Sequence, residues 1–342
     1  MPRRTRLPTR EVPGVTRRRS AATGRSISSW AGVTWRSSDV LITPRPDPAH
    51  PVVSVKDPTV VRWRDRWIVY GTSADTSGAW RVFHTSFADW SEAPSAPLYH
   101  LDQNPHIGDT YMAAPQLFYF SPQDMWYLVY QQGAPAYSVT DDPTRPDTWT
   151  APRGFFAEQP SLLAQGWLDF WVIADEGHCY LFFTDDNGFL YRSRTSVADF
   201  PHGFGAPEVA IADSRENCYE GSATYKVRGT DTYLTIVEGF DSRGHRCYRA
   251  WTADRLDGPW TRHGTDDHAF AHHSHVLFPA GGRSTDISHG ELVRAGHDER
   301  MEIDPQRLQL LYQGLDPGVD VEGTPYALLP WRIGLLTRTG GE

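Results

Sequence analysis

The sequence predicts an all-β fold, a five-bladed β-propeller, on three observations. Runs rich in Tyr, Trp, Val, Ile and Phe recur at intervals of tens of residues, bounded by Asp, Gly or Ser. Each is preceded by a second apolar run at a similar offset. Helical periodicity is nearly absent.

The leading runs begin at Asp57, Ala114, Asp169, Glu220 and His289, and the following ones are centred on Trp67, Tyr127, Tyr180, Tyr233 and Leu308. If Asp57, Gln116, Asp169, Glu220 and His289 are taken as lead residues, four offsets lie between 10 and 13, and the fifth stretches to 19. The leads step by 59, 53, 51 and 69 residues. Third runs follow at 78–87, 135–143, 188–197 and 246–256, most with a further short segment behind them. Four short antiparallel strands in each of five repeats make a propeller. The closing run 326–338 completes the last blade, and residues 29–45 are expected to add a strand that closes the ring. A two-sheet sandwich is the structural rival, and the recurring offsets favour the propeller.

Residues 1–28 carry eight Arg against the single Glu11, with Pro, Thr and Ser between them. That composition predicts disorder, so the organisation is a tail over 1–28 and one propeller over 29–342. The tail has no apolar stretch of the kind a secretory leader needs. The net charge is −9, so the body is strongly acidic, which argues against nucleic acid or an anionic membrane as partner. Aromatic residues make up 13%, including 13 Trp. Packing must account for most of them, and stacking on sugar rings for a few. Cys179, Cys218 and Cys247 are three and form no CxxC pair, so a zinc scaffold is not expected, while one disulfide stays open.

In a propeller the first strand of each blade lines the central channel, so the five lead residues should converge at its mouth. Singly, each has an ordinary reading: Asp57 before Pro58 as a turn former, Asp169 as a strand cap, Glu220 as a surface acid. Their common register argues for a shared site. Three carboxylates suit glycoside hydrolysis, in which one acid protonates the leaving oxygen and a second carboxylate works opposite it. A third can tune the acid by repulsion. Other chemistries lack support: there is no G-x-S-x-G elbow and no phosphate loop. The histidines at 268, 272, 273 and 275 match no common zinc spacing and read as a variable surface loop. Residues 184–188, Thr-Asp-Asp-Asn-Gly, hint at calcium but read as a hairpin turn.

The segments 54–78, 167–201, 217–239, 285–296, 303–314 and 326–337 resemble, in order, glycoside hydrolase family 62. The resemblance implies a five-bladed propeller and a non-reducing-end α-L-arabinofuranosidase that trims arabinoxylan with inversion. It implies Asp57 as general base, Glu220 as general acid and Asp169 as the carboxylate that tunes the acid and holds the sugar. It places Lys56, Gln116, Tyr326 and Trp331 with the substrate, and His289 beside a structural calcium ion in the channel. It implies a monomer acting outside the cell on arabinoxylan or arabinan. The chain departs from the family at Cys218-Tyr219-Glu220-Gly221, where Leu-Phe-Glu-Ala is common, and at Gln132, where many members carry Trp. It also lacks the cysteine often found at Gln306, so that staple is lost. A β-xylosidase, an arabinanase and a non-catalytic carbohydrate-binding propeller are the alternatives.

Overall fold

The computed structural model describes residues 29–158, 160, 166–265, 268–280 and 284–339. The arginine-rich tail lies outside them. The described residues form strands and short 3₁₀ turns. They build five antiparallel sheets arranged as the blades of a propeller.

Blade one runs Val52–Trp63, Arg66–Asp75, Trp80–Phe87 and Tyr99–His100 from the channel outward. Blade two runs Ala113–Phe120, Met125–Gln132, Ala134–Thr140 and Arg153–Gly154. Blade three runs Leu168–Ala174, His178–Thr184, Phe189–Ser196 and Glu208–Ala212. Blade four runs Glu220–Val227, Tyr233–Phe240, Arg246–Ala253 and Thr261–His263, with Glu302–Ile303 added in parallel at its inner edge. Blade five runs Ser288–Leu292, Gln309–Gly314 and Arg332–Arg338. Its next strand, Trp35–Ser37, comes from the start of the propeller and closes the ring, as the sequence suggests. Val276–Leu277 pairs in parallel outside it. The missing cysteine staple does not prevent this closure.

The inner strands are apolar almost without alternation because sheets pack on both faces. Residues 54–61 of blade one are all buried. Trp35, Trp126, Trp149 and Trp331 are fully buried, so packing does use most of the large aromatics. Trp149 also donates its Nε1–H to Tyr70 Oη at 2.8 Å, and Tyr70 donates on to Pro143 O at 2.8 Å, which satisfies both buried polar tips.

Side chains lace neighbouring blades together near the axis. Gln116 of blade two donates Nε2–H to Val172 O of blade three and accepts from Val172 N, at 2.8 and 2.7 Å. Trp171 donates to Thr224 O of blade four at 2.8 Å, and Tyr225 Oη accepts from Leu292 N of blade five at 2.8 Å. Between blades five and one lies a buried ion pair, Glu291 with Arg294, at 2.6 Å. Thr59 donates to Glu291 at 2.6 Å, and Arg294 donates to Leu117 O at 2.6 Å. Three blades thus depend on one charged pair. Arg294→Met strands Glu291 in the core and is expected to cost about 3–5 kcal/mol, read as a lower denaturation midpoint. The Glu291→Leu/Arg294→Met double variant should recover much of that loss. A double variant worse than the single would show that the pair itself, and not its solitary charge, matters.

Each inner strand carries a β-bulge near its start. Register shifts fall between Lys56 and Thr59, Ala113 and Gln116, Leu168 and Trp171, Glu220 and Ala223, and Ser288 and Gly290. In the first four blades the bulged residue is left-handed: Asp57 at φ 50°, Ala114 at 48°, Asp169 at 58° and Gly221 at 60°. Bulges re-aim side chains, and here they do so at one end of the channel.

Candidate active site

Bulge register corrects the sequence alignment by one or two residues. Asp57 and Asp169 are true equivalents. Glu220 stands one place earlier, level with Lys56 and Leu168, and Gly221 takes the left-handed position. Glycine there meets the conformation without strain, which gives a physical reason for the local departure from the family pattern. For Asp57 and Asp169 the same conformation costs on the order of 1–2 kcal/mol each. The strain sits where two carboxylates must be aimed.

The three carboxylates do meet. Asp57, Asp169 and Glu220 line one pocket of about 320 Å³ with Lys56, His289 and Tyr326, all expected from the sequence. Two expected residues do not join them. Gln116 lies two places past its bulge, so its amide is spent on Val172. Trp331 packs against Leu315 and Leu329, away from the pocket. Arg332 pairs with Asp316 at 2.8 Å. Gln132 donates to Thr110 Oγ1 at 3.1 Å beside the pocket, while its neighbour Gln131 lines it.

The sequence reading missed Trp80, Tyr111, Asp186, Tyr219 and Arg246, which complete the wall. A signal for several existed. In each blade the connection between the second and third strands turns back toward the end where the inner strand starts. Trp80, Gln131, Asp186, Arg246 and Tyr326 all come from these five connections or their edges. The turn at Asp186 is thus a hairpin, as expected, but its side chain is part of the site.

Asp57 is 4% exposed. Its backbone N–H donates to Gln313 Oε1 at 2.8 Å, fixing the bulge to blade five. Lys56 Nζ lies 3.9 Å from its carboxylate and His289 Nδ1 3.4 Å. Burial works against its charge, but Lys56, His289 and the Thr72 hydroxyl outweigh it and hold the carboxyl below its ordinary value. Lys56 is itself buried, with Nζ 3.3 Å from the centre of the Trp80 ring.

Asp169 differs. Burial raises it, Glu220 and Asp57 add to the rise, and His289 at 3.8 Å opposes it, leaving its carboxyl at about 6. Gly221 N donates to it at 2.8 Å, so Asp169 is tied to the residue after Glu220. Asp186 goes further: burial first, then Glu220 and Asp169, push it to about 8. Glu220 bonds Arg246, which also bonds the fully buried Glu238. Glu238 accepts in turn from Ser288 Oγ at 3.0 Å and His289 N at 2.5 Å. Five carboxyls therefore face Lys56, Arg246 and His289. They cannot all ionise together at low cost. Asp57 is held below the ordinary carboxyl range, while Asp169, Asp186 and Glu238 are raised above it.

Behind His289 the channel narrows to about 10 Å³ and is lined by Ser222, Gln116 and Glu291. Ser222 Oγ is buried with no hydrogen-bond partner. Gln116 and Glu291 are already committed. Calcium takes six to eight oxygens. His289, Asp169 and the Ser222 hydroxyl would supply only part of such a shell, and water would have to complete it. The three cysteines are buried and free, so no disulfide braces the blades.

Fold and site together define a class: β-propellers with a blind, carboxylate-lined pocket at the mouth of the channel. The profile of glycosyl hydrolase family 62 matches residues 34–337, and the chain belongs to that family. It is 41% identical over 312 residues to Alpha-L-arabinofuranosidase C of Cellvibrio japonicus, covering 90% of this chain and 47% of that protein. The chain thus spans about half the length of that curated relative. The catalytic domain of a family-62 α-L-arabinofuranosidase from Coprinopsis cinerea superposes with a TM-score of 0.86 at 42% identity, over 90% of this chain and 98% of that one. A family-62 hydrolase solved with xylotriose gives 0.85 at 37%, over 91% and 98%.

Proposed function

We propose that the chain releases terminal α-L-arabinofuranose side chains from arabinoxylan by single displacement with inversion. The observation that carries this is the blind pocket. Its floor is closed at His289, beyond which only about 10 Å³ remains, and its carboxyls include one held low, Asp57, and one raised, Asp169. A closed pocket accepts a chain end or a side group and excludes a continuous backbone. The relatives' names as arabinofuranosidases and the xylotriose complex of one of them support arabinose on a xylan as the substrate.

In this reading water lies beside Asp57 and attacks the anomeric carbon. Asp57 takes the water's proton as the new C–O bond forms. The bond to the xylose oxygen breaks, and Glu220 gives its proton to that oxygen. Arg246 orients Glu220. Asp169 lies beside the acid, so that the two carboxyls resist ionising together, and it hydrogen-bonds the sugar. Lys56, Trp80 and Tyr326 shape the pocket around the ring. The polymeric substrate places the work outside the cell.

Profiling of released sugars on wheat arabinoxylan, linear arabinan, and aryl arabinofuranoside and xyloside tests the assignment. Arabinose from arabinoxylan with little action on the xyloside is expected. Xylose release, or faster action on linear arabinan, would overturn it. Asp169→Asn removes the carboxyl that resists ionising together with Glu220. The alkaline limb of kcat/KM is then expected to move to lower pH by about one unit. An unmoved limb would remove Asp169 from the tuning role.

A further inference from the structure

The histidine-rich segment after blade four is more than a loose loop. Phe270 N and Tyr248 N exchange hydrogen bonds with Tyr248 O and Ala271 O at 2.8 and 2.9 Å, so the segment runs along the third strand of blade four. This seats His272 and His273 against the turn between Phe240 and Arg246. There His272 Nε2 lies 3.1 Å from Asp241 Oδ2, and the His272 and His273 rings are 4.2 Å apart. Ligand atoms of Asp241, His272 and His273 all fall within 4.8 Å of one another. His245 Nδ1 stands 3.1 Å from the same Asp241 oxygen.

From this geometry we infer a binding site for a divalent transition metal of the zinc class, held by Asp241, His272 and His273. Two imidazoles and a carboxylate are the donors zinc takes, with the remaining position open to water or to His245. Tetrahedral ligands at zinc distances lie about 3.3 Å apart, close to the present His272–Asp241 separation. Two further observations point to a ligand. His273 Nδ1 is buried with no hydrogen-bond partner. Asp241 is already braced as a ligand should be: its other oxygen accepts from Arg243 N and His245 N, both at 2.8 Å. His272 Nδ1 lies 2.7 Å from Ser274 Oγ and accepts from Ser274 N at 3.2 Å. When the ion replaces the proton on Nε2, Nδ1 takes that proton and donates it to the serine hydroxyl, giving up the longer bond from Ser274 N, so the ring changes tautomer without changing charge.

The site lies outside the sugar pocket but not far from its logic. The turn it clamps leads into Arg246, the partner of Glu220. A bound ion would pin that turn to residues 270–273 and act as a structural clip.

The test is calorimetric titration of the full chain, stripped with chelator, using Zn²⁺ alone, with Co²⁺ absorption as a second readout. One equivalent per chain is expected, with a melting temperature raised by about 5 °C at hundredfold excess over Kd. His272→Ala and His273→Ala should each weaken binding about tenfold or more, and Asp57→Asn should leave it unchanged. His273→Gln serves if the alanine variant does not fold as the wild type does. Stoichiometric binding that survives both histidine variants, binding lost in Asp57→Asn, or no binding at all would each overturn the site.

Discussion

Asp57→Asn is expected to lower kcat/KM on arabinoxylan by about 10³–10⁴-fold while leaving the fold intact. The expectation rests on what holds this carboxylate. It is buried, faces Lys56 and His289, and is kept ionised by them against the cost of burial. An amide of the same shape cannot accept a proton from water. Asparagine tolerates the left-handed conformation that Asp57 adopts, so the bulge and the bond from its N–H to Gln313 should survive. The loss should fall on kcat with little change in KM, because a base acts in the transition state and contributes little to ground-state binding. A thermal unfolding curve within a few degrees of wild type would separate this from misfolding. Activity within about tenfold of wild type would remove Asp57 from the reaction.

Glu220→Gln should act differently on different substrates. Arabinoxylan has a poor leaving group, a xylose oxygen, that needs the proton; its hydrolysis should fall about 10³-fold. A 4-nitrophenyl arabinofuranoside leaves as a stable phenolate and needs little protonation. Its hydrolysis should fall far less, and the alkaline limb of its pH profile should flatten. Arg246 would keep Glu238 as a partner in this variant, so the neighbouring geometry should hold. Equal losses on both substrates would mean that Glu220 positions the sugar and does not deliver a proton.

Much of this is legible in the sequence alone. The period of the apolar runs, the strand that closes the ring and the convergence of Asp57, Asp169 and Glu220 follow from residue types and spacing. What spacing could not show was the bulge. One inserted residue per inner strand moves Glu220 a place ahead of Asp169 and buries Gln116 between blades two and three. Offsets read across a bulge are uncertain by that amount, and side chains alternate with every step. Trp331 failed for another reason. Its neighbours in sequence suit a pocket rim, but its ring finds Leu315 and Leu329, and apolar contact decides its direction. Arg246, Asp186 and Glu238 carry no local motif. Glu238 sits inside an apolar strand, Ala-free and strongly β-type, and only its pairing with Arg246 and Ser288 makes its burial affordable. Asp186 looked like turn chemistry, which it also is. Repeat logic applied to the second connection of each blade, and not to the first strand alone, would have found both Asp186 and Arg246.

The central claim is that Asp57 and Glu220 work on opposite sides of one sugar through a single displacement. Proton NMR of the arabinose released in the first minutes of arabinoxylan digestion tests it most directly. The β-anomer of arabinofuranose should appear first and mutarotate afterwards. The α-anomer appearing first would show retention, and with it a covalent intermediate that this account excludes.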